Sequence, residues 1–197
     1  MNYIYGGIGD DEVEDIKLVE NILDGNVDSF NILVNKYEYM ILKFIYGMIR
    51  DKEASEDITQ EVFITIYNRL YMYDKKRKFT NWILQIAKNK CIDYMRKYKR
   101  VYESNIEDAR NLVSSDISPE EALEYRETKK QVQDFINELD DIDRQILTMK
   151  YSQDITFGDI ADVLGMNLST VKRRYYKIRD NYKMYRNDTK RGVSSGL

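Results

Sequence analysis

The sequence of 197 residues contains no histidine, one cysteine and one proline. Without histidine, Ser-His and Cys-His nucleophile pairs are excluded, and a zinc site would lack its usual ligands. The nine glycines are scattered, and none belongs to a phosphate-binding G-x-x-x-x-G-K loop. These absences argue against an enzyme, so we predict no catalytic residue, no metal site and no cofactor.

The sequence also lacks a hydrophobic run of about 18 residues, the length that crosses a bilayer as a helix. Its N-terminal stretch, MNYIYGGIGDDEVED, has no basic start followed by an apolar block, unlike a secretory signal. We therefore expect no membrane insertion and a cytoplasmic protein.

Charge is distributed in blocks, although the formal net charge is only −3. Residues 68–100 contain eleven Lys or Arg against two acids, and residues 167–186 contain seven against one. The stretch 101–145 contains thirteen acids against five bases. Solvated helix surfaces usually mix both signs, so two basic blocks favour nucleic-acid binding over a merely solvated surface.

Apolar residues recur at helical spacing along most of the chain, and no convincing strand pattern is present. We predict an all-α fold of two small helical domains joined by a flexible linker, the second containing a helix-turn-helix. The linker is a polar stretch that ends before Pro119, which suits the first position of a helix. The predicted boundaries are 1–23 for an N-terminal extension with the start of the first helix, 24–100 for the first domain, 101–118 for the linker, 119–186 for the second domain and 187–197 for a tail.

Two helices of the first domain have a clear apolar side. One is predicted to begin at Ser55 and to bury a stripe at 3–4 spacing. That stripe consists of Ile58, Val62, Ile66 and Leu70. The other, 82–100, gathers basic side chains opposite an apolar side that includes Cys91, whose thiol we expect to be buried and unreactive. Residues 28–48 are predicted to form a further, strongly apolar helix, and the tyrosines of this helix and of the helix that begins at Ser55 are expected to be amphipathic core filler and not a binding feature.

Three small residues in the C-terminal part, Ala161, Gly165 and Val171, lie at positions i, i+4 and i+10, the spacing of a helix-turn-helix. Alanine lets two helices cross closely, glycine supplies the positive φ of the turn, and valine enters the core from the second helix. That second helix would present a polar and basic face suited to the major groove. A plain helical hairpin is the alternative interpretation.

Together, SEDITQEVFITIYNRL, FTNWILQIAKNKCIDYMRKYKR and LDDIDRQILTMKYSQDITFGDIADVLGMNLSTVKRRYYKIR resemble bacterial RNA polymerase sigma factors. The compact two-domain form is similar to the extracytoplasmic-function (ECF) group. The resemblance implies an alternative sigma factor that binds core RNA polymerase, directs it to specific promoters and helps melt the −10 element. Promoter DNA is then a second partner, and the resemblance allows an anti-sigma factor as a third.

The resemblance also implies three groups of functional residues. Core polymerase would be bound by the D-x-x-Q-E residues Asp57, Gln60 and Glu61. The −10 element would be bound by Lys75, Lys76, Arg77, Lys78, Trp82, Lys88, Asn89 and Arg96. The −35 element would be bound by Ser169, Thr170, Lys172, Arg173, Tyr176 and Lys177.

A stand-alone helix-turn-helix regulator that binds duplex DNA as a dimer is the alternative hypothesis. It explains the second domain but not the first, and binding to core RNA polymerase in the absence of DNA distinguishes the two. A carboxylate-based hydrolase is a third hypothesis, which the lack of a paired-acid motif disfavours.

Overall fold

The computed structural model describes residues 10–102, 119–153 and 155–194, and within these ranges the chain is helical and contains no β-strand. The helices are α1 (Asp10–Leu23), α2 (Val27–Ile49), α3 (Lys52–Arg69), α4 (Phe79–Tyr102), α5 (Pro119–Glu138), α6 (Asp141–Gln153), α7 (Phe157–Leu164) and α8 (Leu168–Ser194). A 3₁₀ turn, Leu70–Met72, follows α3. The predicted all-α class is confirmed. The predicted linker lies outside the described residues, except that residues 101 and 102 end α4.

Side-chain caps determine where the helices begin. Asn26 caps α2 by accepting a hydrogen bond from the Ser29 N–H at 3.0 Å. Asp51 caps α3 in the same way, with its Oδ1 2.8 Å from the Ala54 nitrogen. The prediction that this helix begins at Ser55 was therefore wrong by one turn. Asp and Ser are about equally good caps, and Ser55 instead lies buried within the first turn.

Helices α2, α3 and α4 enclose the centre of the first domain. The predicted inner stripe of α3 is buried along its whole length, as expected from its spacing. The apolar side of α4 is also fully buried, with no exposed surface on Ile83, Leu84, Ala87 or Cys91. Burial raises the pKa of the Cys91 thiol to about 12, which agrees with the predicted unreactive cysteine.

Several tyrosines depart from the prediction that they fill the core. Tyr39, Tyr46 and Tyr67 are about half exposed or more, whereas Tyr37 is buried. These rings can remain exposed because tyrosine is amphipathic and can place its ring on an apolar surface and its hydroxyl in water. Residue type alone therefore did not predict which side of each helix these rings occupy.

The helix-turn-helix of the second domain forms as the spacing predicts. Gly165 ends α7 with a φ of 64°, and its N–H donates to the carbonyls of Ala161 and Asp162. Ala161 is 7% exposed where α7 meets α8, and Val171 is fully buried. Because α8 runs on to Ser194, its basic face is carried by a long continuous helix.

The two helical domains pack against each other and share one hydrophobic core. Helix α6 contacts α2, and α7 contacts α4. The fully buried Ile146 and Met149 of α6 and Ile160 of α7 belong to the same cluster as the core of α2–α4. The approach is close at Gly47, where an added Cβ would lie 2.6 Å from Thr148 Cγ2.

Two glycines of the second domain provide a matched test of the turn. We expect Gly165→Ala to lower the free energy of unfolding by about 1–2 kcal/mol, because its φ is unfavourable for an L-residue. Gly158→Ala should be neutral or stabilising by up to about 1 kcal/mol, since it lies in the first turn of α7 and its Cβ would meet nothing closer than 3.7 Å. Urea unfolding followed by circular dichroism measures both. Equal effects would contradict a turn that requires glycine.

Candidate functional site

The D-x-x-Q-E residues lie on the exposed side of α3. Asp57, Gln60 and Glu61 are all exposed, on the side opposite the buried Ile58 and Val62. Glu61 Oε2 accepts a hydrogen bond from Lys90 Nζ of α4 at 2.9 Å, and this contact ties the α3 face to α4. The three side chains are thus presented on a rigid helix whose other side is fixed by the core.

Apolar residues extend this face of α3 and were missed by the sequence analysis. Ile64 is 61% exposed and Tyr67 is 50% exposed. They follow Gln60 by four and seven residues, so they lie on the same side of the helix. The sequence did contain an indication of their exposure, because helical spacing places both residues opposite the predicted Ile58–Leu70 stripe. The exposed face of α3 therefore combines acids, an amide and apolar surface.

The basic loop between the 3₁₀ turn and α4 is held by specific contacts. The Tyr73 hydroxyl donates to the Arg77 carbonyl at 2.5 Å and closes the loop on itself. Lys75 Nζ lies 2.7 Å from Glu20 Oε1 of α1, and Lys78 Nζ lies 3.1 Å from Asp159 Oδ2 of α7. The four predicted basic residues of this loop are exposed, but two of them already pair with acids.

The remaining predicted −10 residues lie on α4 and differ in exposure. Trp82 is half-buried, with its ring centroid 5.5 Å from that of Tyr73. Asn89 and Arg96 are exposed and follow Trp82 at seven-residue intervals, which places all three on one side of the helix. Lys88 is half-buried, and its Nζ donates to the Val163 carbonyl at 3.0 Å. Burial lowers the pKa of Lys88.

Asn81 and Gln85 of α4 were not predicted as functional residues, yet they face α7 beside Lys78 and Lys88. Asn81 is 5% exposed, and its Nδ2 donates to Asp159 Oδ1 at 3.0 Å and to Asp162 Oδ2 at 3.2 Å. Gln85 Nε2 donates to the Asp162 carbonyl at 3.1 Å. No local sequence signal could have indicated these contacts, because their partners lie more than 75 residues away.

The outer face of α8 presents the predicted −35 residues together. Ser169, Lys172, Arg173, Tyr176 and Lys177 are exposed, and Thr170 is half-buried. The Arg179 guanidinium lies 4.9 Å from the centroid of the Tyr176 ring and widens the basic surface. The face is polar and basic at its N-terminal end, which is the arrangement that allows a helix to contact bases in a major groove.

Arg174, the neighbour of Arg173, points inward instead. Its Nε donates to Asp143 Oδ1 at 2.6 Å, and its Nη2 also contacts Asp140. Burial raises the pKa of Asp143, and the bond from Arg174 offsets this only in part. Arg174 therefore anchors α8 to the start of α6, while Arg173 stays outside.

Two other kinds of function find no support in the described part of the chain. In residues 10–102, 119–153 and 155–194, no group of His, Cys, Asp and Glu could hold a metal ion. Across the same ranges, no helix is both long and apolar enough to cross a membrane.

Comparison with known proteins identifies the family. Residues 33–101 match the Sigma-70 region 2 family, and residues 129–181 match the Sigma-70 region 4 family. The ECF RNA polymerase sigma factor SigW of Bacillus subtilis is 30% identical over 172 residues, which cover 83% of this chain and 92% of that protein. The chain belongs to the ECF sigma factor family. Sigma factors are transcription initiation factors and not enzymes.

Further relatives and solved structures agree with this sigma factor assignment. The RNA polymerase sigma-H factor of Pseudomonas aeruginosa is 30% identical over 175 residues, covering 85% of this chain and 91% of that protein. CnrH, in a structure with the cytosolic domain of CnrY, matches with a TM-score of 0.67 and 19% identity over 89% of this chain and 98% of that one. The sigma factor RpoE of Bartonella quintana, in complex with the anti-sigma factor NepR, matches with a TM-score of 0.64 and 18% identity. The match covers 80% of this chain and 96% of that one. These two matches show the all-α sigma factor fold.

Adjacent arginines on α8 are expected to differ in structural importance. Arg174→Ala should lower the free energy of unfolding by about 1–3 kcal/mol, because it removes charge-assisted hydrogen bonds to Asp140 and Asp143. Arg173→Ala should change it by less than about 0.5 kcal/mol, since the side chain is exposed. Urea unfolding measures both values. A larger loss from Arg173→Ala would show that the two side chains are placed the other way round.

Proposed function

We propose that this sigma factor binds its partners through three separate helix faces. The exposed face of α3 binds core RNA polymerase, the basic loop with α4 binds the separated strand of the −10 element, and the outer face of α8 binds the −35 element. The observation that carries this proposal is the exposure of the D-x-x-Q-E and helix-turn-helix residues on two different rigid helices. A stand-alone repressor or activator would have no use for the first of these faces.

The α3 face suits a protein partner rather than DNA. Asp57 and Glu61 would repel phosphate, whereas exposed Ile64 and Tyr67 beside them can be desolvated against another protein. Interfaces combine such apolar surface with a polar rim, and Tyr is enriched among their strongest contacts. We therefore extend the proposed polymerase-binding face from the three predicted residues to Ile64 and Tyr67.

The loop and α4 suit single-stranded DNA. The basic side chains of residues 75–78 can contact phosphate, and Trp82 and Asn89 can contact an unstacked base by stacking and hydrogen bonding. The outer face of α8 suits duplex DNA, where Arg173 can donate two hydrogen bonds to guanine O6 and N7. Lys177 lies one turn further along and is better placed for phosphate.

We also propose the sequence-derived boundaries for this division of labour. Residues 24–100 form the polymerase-binding and −10 domain, residues 119–186 form the −35 domain, and residues 101–118 link them. The matched regions, 33–101 and 129–181, support this division. A cytoplasmic location follows from the proposed partners, and an anti-sigma factor is a further proposed partner, since RpoE of Bartonella quintana forms such a complex.

A charge-matched pair of variants tests the polymerase-binding face. Gln60→Ala/Glu61→Lys should weaken binding to core RNA polymerase at least about tenfold, because it reverses a charge and removes an amide on the α3 face. Glu138→Lys makes the same change of charge as Glu61→Lys at an exposed position of α5 and should leave affinity unchanged. Binding of labelled protein to core polymerase without DNA gives both affinities. Equal affinities would show that these residues of α3 do not bind core polymerase.

Alanine substitutions at two exposed residues of α8 should impair binding to the −35 element in different ways. Arg173→Ala should cost about 1–3 kcal/mol at the preferred −35 sequence and flatten discrimination among sequence variants. Lys177→Ala should weaken all sequences alike and reduce the salt dependence by about one phosphate contact. Holoenzyme transcription across a set of −35 variants at two salt concentrations separates these effects. If Arg173→Ala causes uniform loss with intact preference, α8 does not contact bases as proposed.

A further inference from the structure

Trp82 belongs to an aromatic cluster that it forms with Tyr37, Tyr73 and Phe79. Its ring centroid lies 5.5 Å from that of Tyr73 and 5.7 Å from that of Phe79. The rings of Tyr73 and Phe79 also meet edge to face, with centroids 5.1 Å apart. Because Trp82 is only half-buried, these two neighbours cover part of its ring and leave the rest accessible. The orientation of Trp82 therefore depends on how firmly the two neighbours are held.

The Tyr73 ring is held by its own hydroxyl, which donates to the Arg77 carbonyl at 2.5 Å. Burial raises the pKa of Tyr73 to about 12, and the nearby charge of Asp15 on α1 adds to this. The hydroxyl therefore stays protonated at neutral pH and remains a donor. Phe79, the first residue of α4, has no polar group of its own. The position of its ring depends on what packs against it.

Tyr37 of α2 packs against Phe79, with ring centroids 5.6 Å apart and ring planes inclined at 55°. Tyr37 is 6% exposed, and its hydroxyl donates to Oδ2 of Asp15 at 2.5 Å. Asp15 is 2% exposed, and its Oδ1 accepts a second hydrogen bond from Lys36 Nζ at 2.9 Å. A buried carboxylate that lacks its donor costs free energy, so Asp15 fixes the Tyr37 hydroxyl firmly.

Helix α1 also contacts the basic loop through ion pairs at the surface. Lys75 Nζ lies 2.7 Å from Glu20 Oε1, and Lys78 Nζ lies 3.8 Å from Glu12 Oε1. Ion pairs at the surface are individually weak and are screened by salt. The buried hydrogen bond of Asp15 is therefore the firmer connection between α1 and the strand-binding face.

We propose that Asp15 and Tyr37 are positioning residues for capture of the separated strand. Their hydrogen bond holds the Phe79 ring, and Phe79 in turn holds the Trp82 ring in the orientation that receives an unstacked base. A ring that is already oriented loses less conformational entropy when a base stacks on it. The inference rests on the proposed −10 role of Trp82. It gives a part in strand opening to α1, whose Asp15 lies before the matched residues 33–101.

Fluorescence of Trp82 provides a direct test, because the chain contains one tryptophan. Tyr37→Phe keeps the ring but removes the hydroxyl that donates to Asp15. In the full chain, we expect the emission of this variant to move to longer wavelength. Its quenching by acrylamide should rise about twofold, since a ring that is no longer held in one orientation spends more time in water.

Two further variants of α2 serve as matched controls. Tyr39→Phe removes a hydroxyl from the same helix at an exposed position. Phe44→Leu shortens a fully buried side chain two turns beyond Tyr37 and so tests the effect of lost stability alone. Neither should change the Trp82 emission at a temperature where circular dichroism shows every variant folded. An equal change in Phe44→Leu would show a general loss of packing and would overturn the proposal.

Strand opening is measured with holoenzyme assembled from core RNA polymerase and each variant. The probe is a promoter fragment selected from a random-sequence DNA library for transcription by the parent holoenzyme, and permanganate reactivity of its thymines reports opening. Tyr37→Phe should slow opening about three- to tenfold, because one aromatic contact of Trp82 is weakened indirectly. Its affinity for core polymerase and for a duplex that carries only the −35 element should be unchanged. Both controls should open the promoter at the parent rate.

A double-mutant cycle connects the effect to the hydrogen bond. Asp15→Asn removes the charge that strengthens the bond from Tyr37, and it should slow opening in the same way. If both residues act through this one bond, Asp15→Asn/Tyr37→Phe should open the promoter no more slowly than the slower single variant. Losses that multiply in the double variant would show independent effects and would count against the proposal.

The substitution Trp82→Leu separates the positioning role from the proposed function. If Trp82→Leu slows opening and Tyr37→Phe does not, the positioning role is overturned while the proposed strand contact stands. Unchanged Trp82 emission in Tyr37→Phe would overturn the positioning role as well. If Trp82→Leu opens the promoter at the parent rate, the proposed strand-binding role of Trp82 is itself wrong.

Discussion

The burial of one side of α4 is the constraint on which the other features depend. Four residues of this side, from Ile83 to Cys91, have no exposed surface against α2 and α3. Because a helix is rigid over its length, fixing this side also fixes Trp82, Asn89 and Arg96 on the side that carries the proposed strand contacts. The basic loop is attached to the same helix and held by the Tyr73 hydroxyl. Core packing and the candidate nucleic-acid surface are therefore one structural unit.

Each candidate interface follows the same physical rule on a different helix. The α3 face is opposite a buried stripe, the strand face is opposite the buried side of α4, and the α8 face is opposite Val171 and Ile178. The proposed functions are thus assigned to the sides of amphipathic helices that the core does not use. With the proposed division, one small chain would present separate surfaces to a protein, a single strand and a duplex.

The block pattern of charge acquires a structural meaning in the folded chain. Acids of α1 and α7 lie against the basic loop, with Glu20 beside Lys75 and Asp159 beside Lys78. An overall net charge of −3 is therefore compatible with strongly basic local surfaces. Exposed ion pairs of this kind are individually weak. Each lysine can therefore leave its carboxylate and bind a phosphate with little loss of free energy. The buried amide of Asn81, which contacts two carboxylates, is the exception.

The sequence by itself determined the helices, their buried sides and the helix-turn-helix, because these depend on the 3.6-residue period, on caps and on one glycine with positive φ. It did not determine the start of α3, where Asp51 and Ser55 were both suitable caps, nor the exposure of Tyr67, whose amphipathic ring suits either environment. Only the tertiary structure decided that α7 lies on α4. Asn81 looks like an ordinary polar residue until Asp159, 78 positions away, is placed beside it, and no local pattern records such a contact.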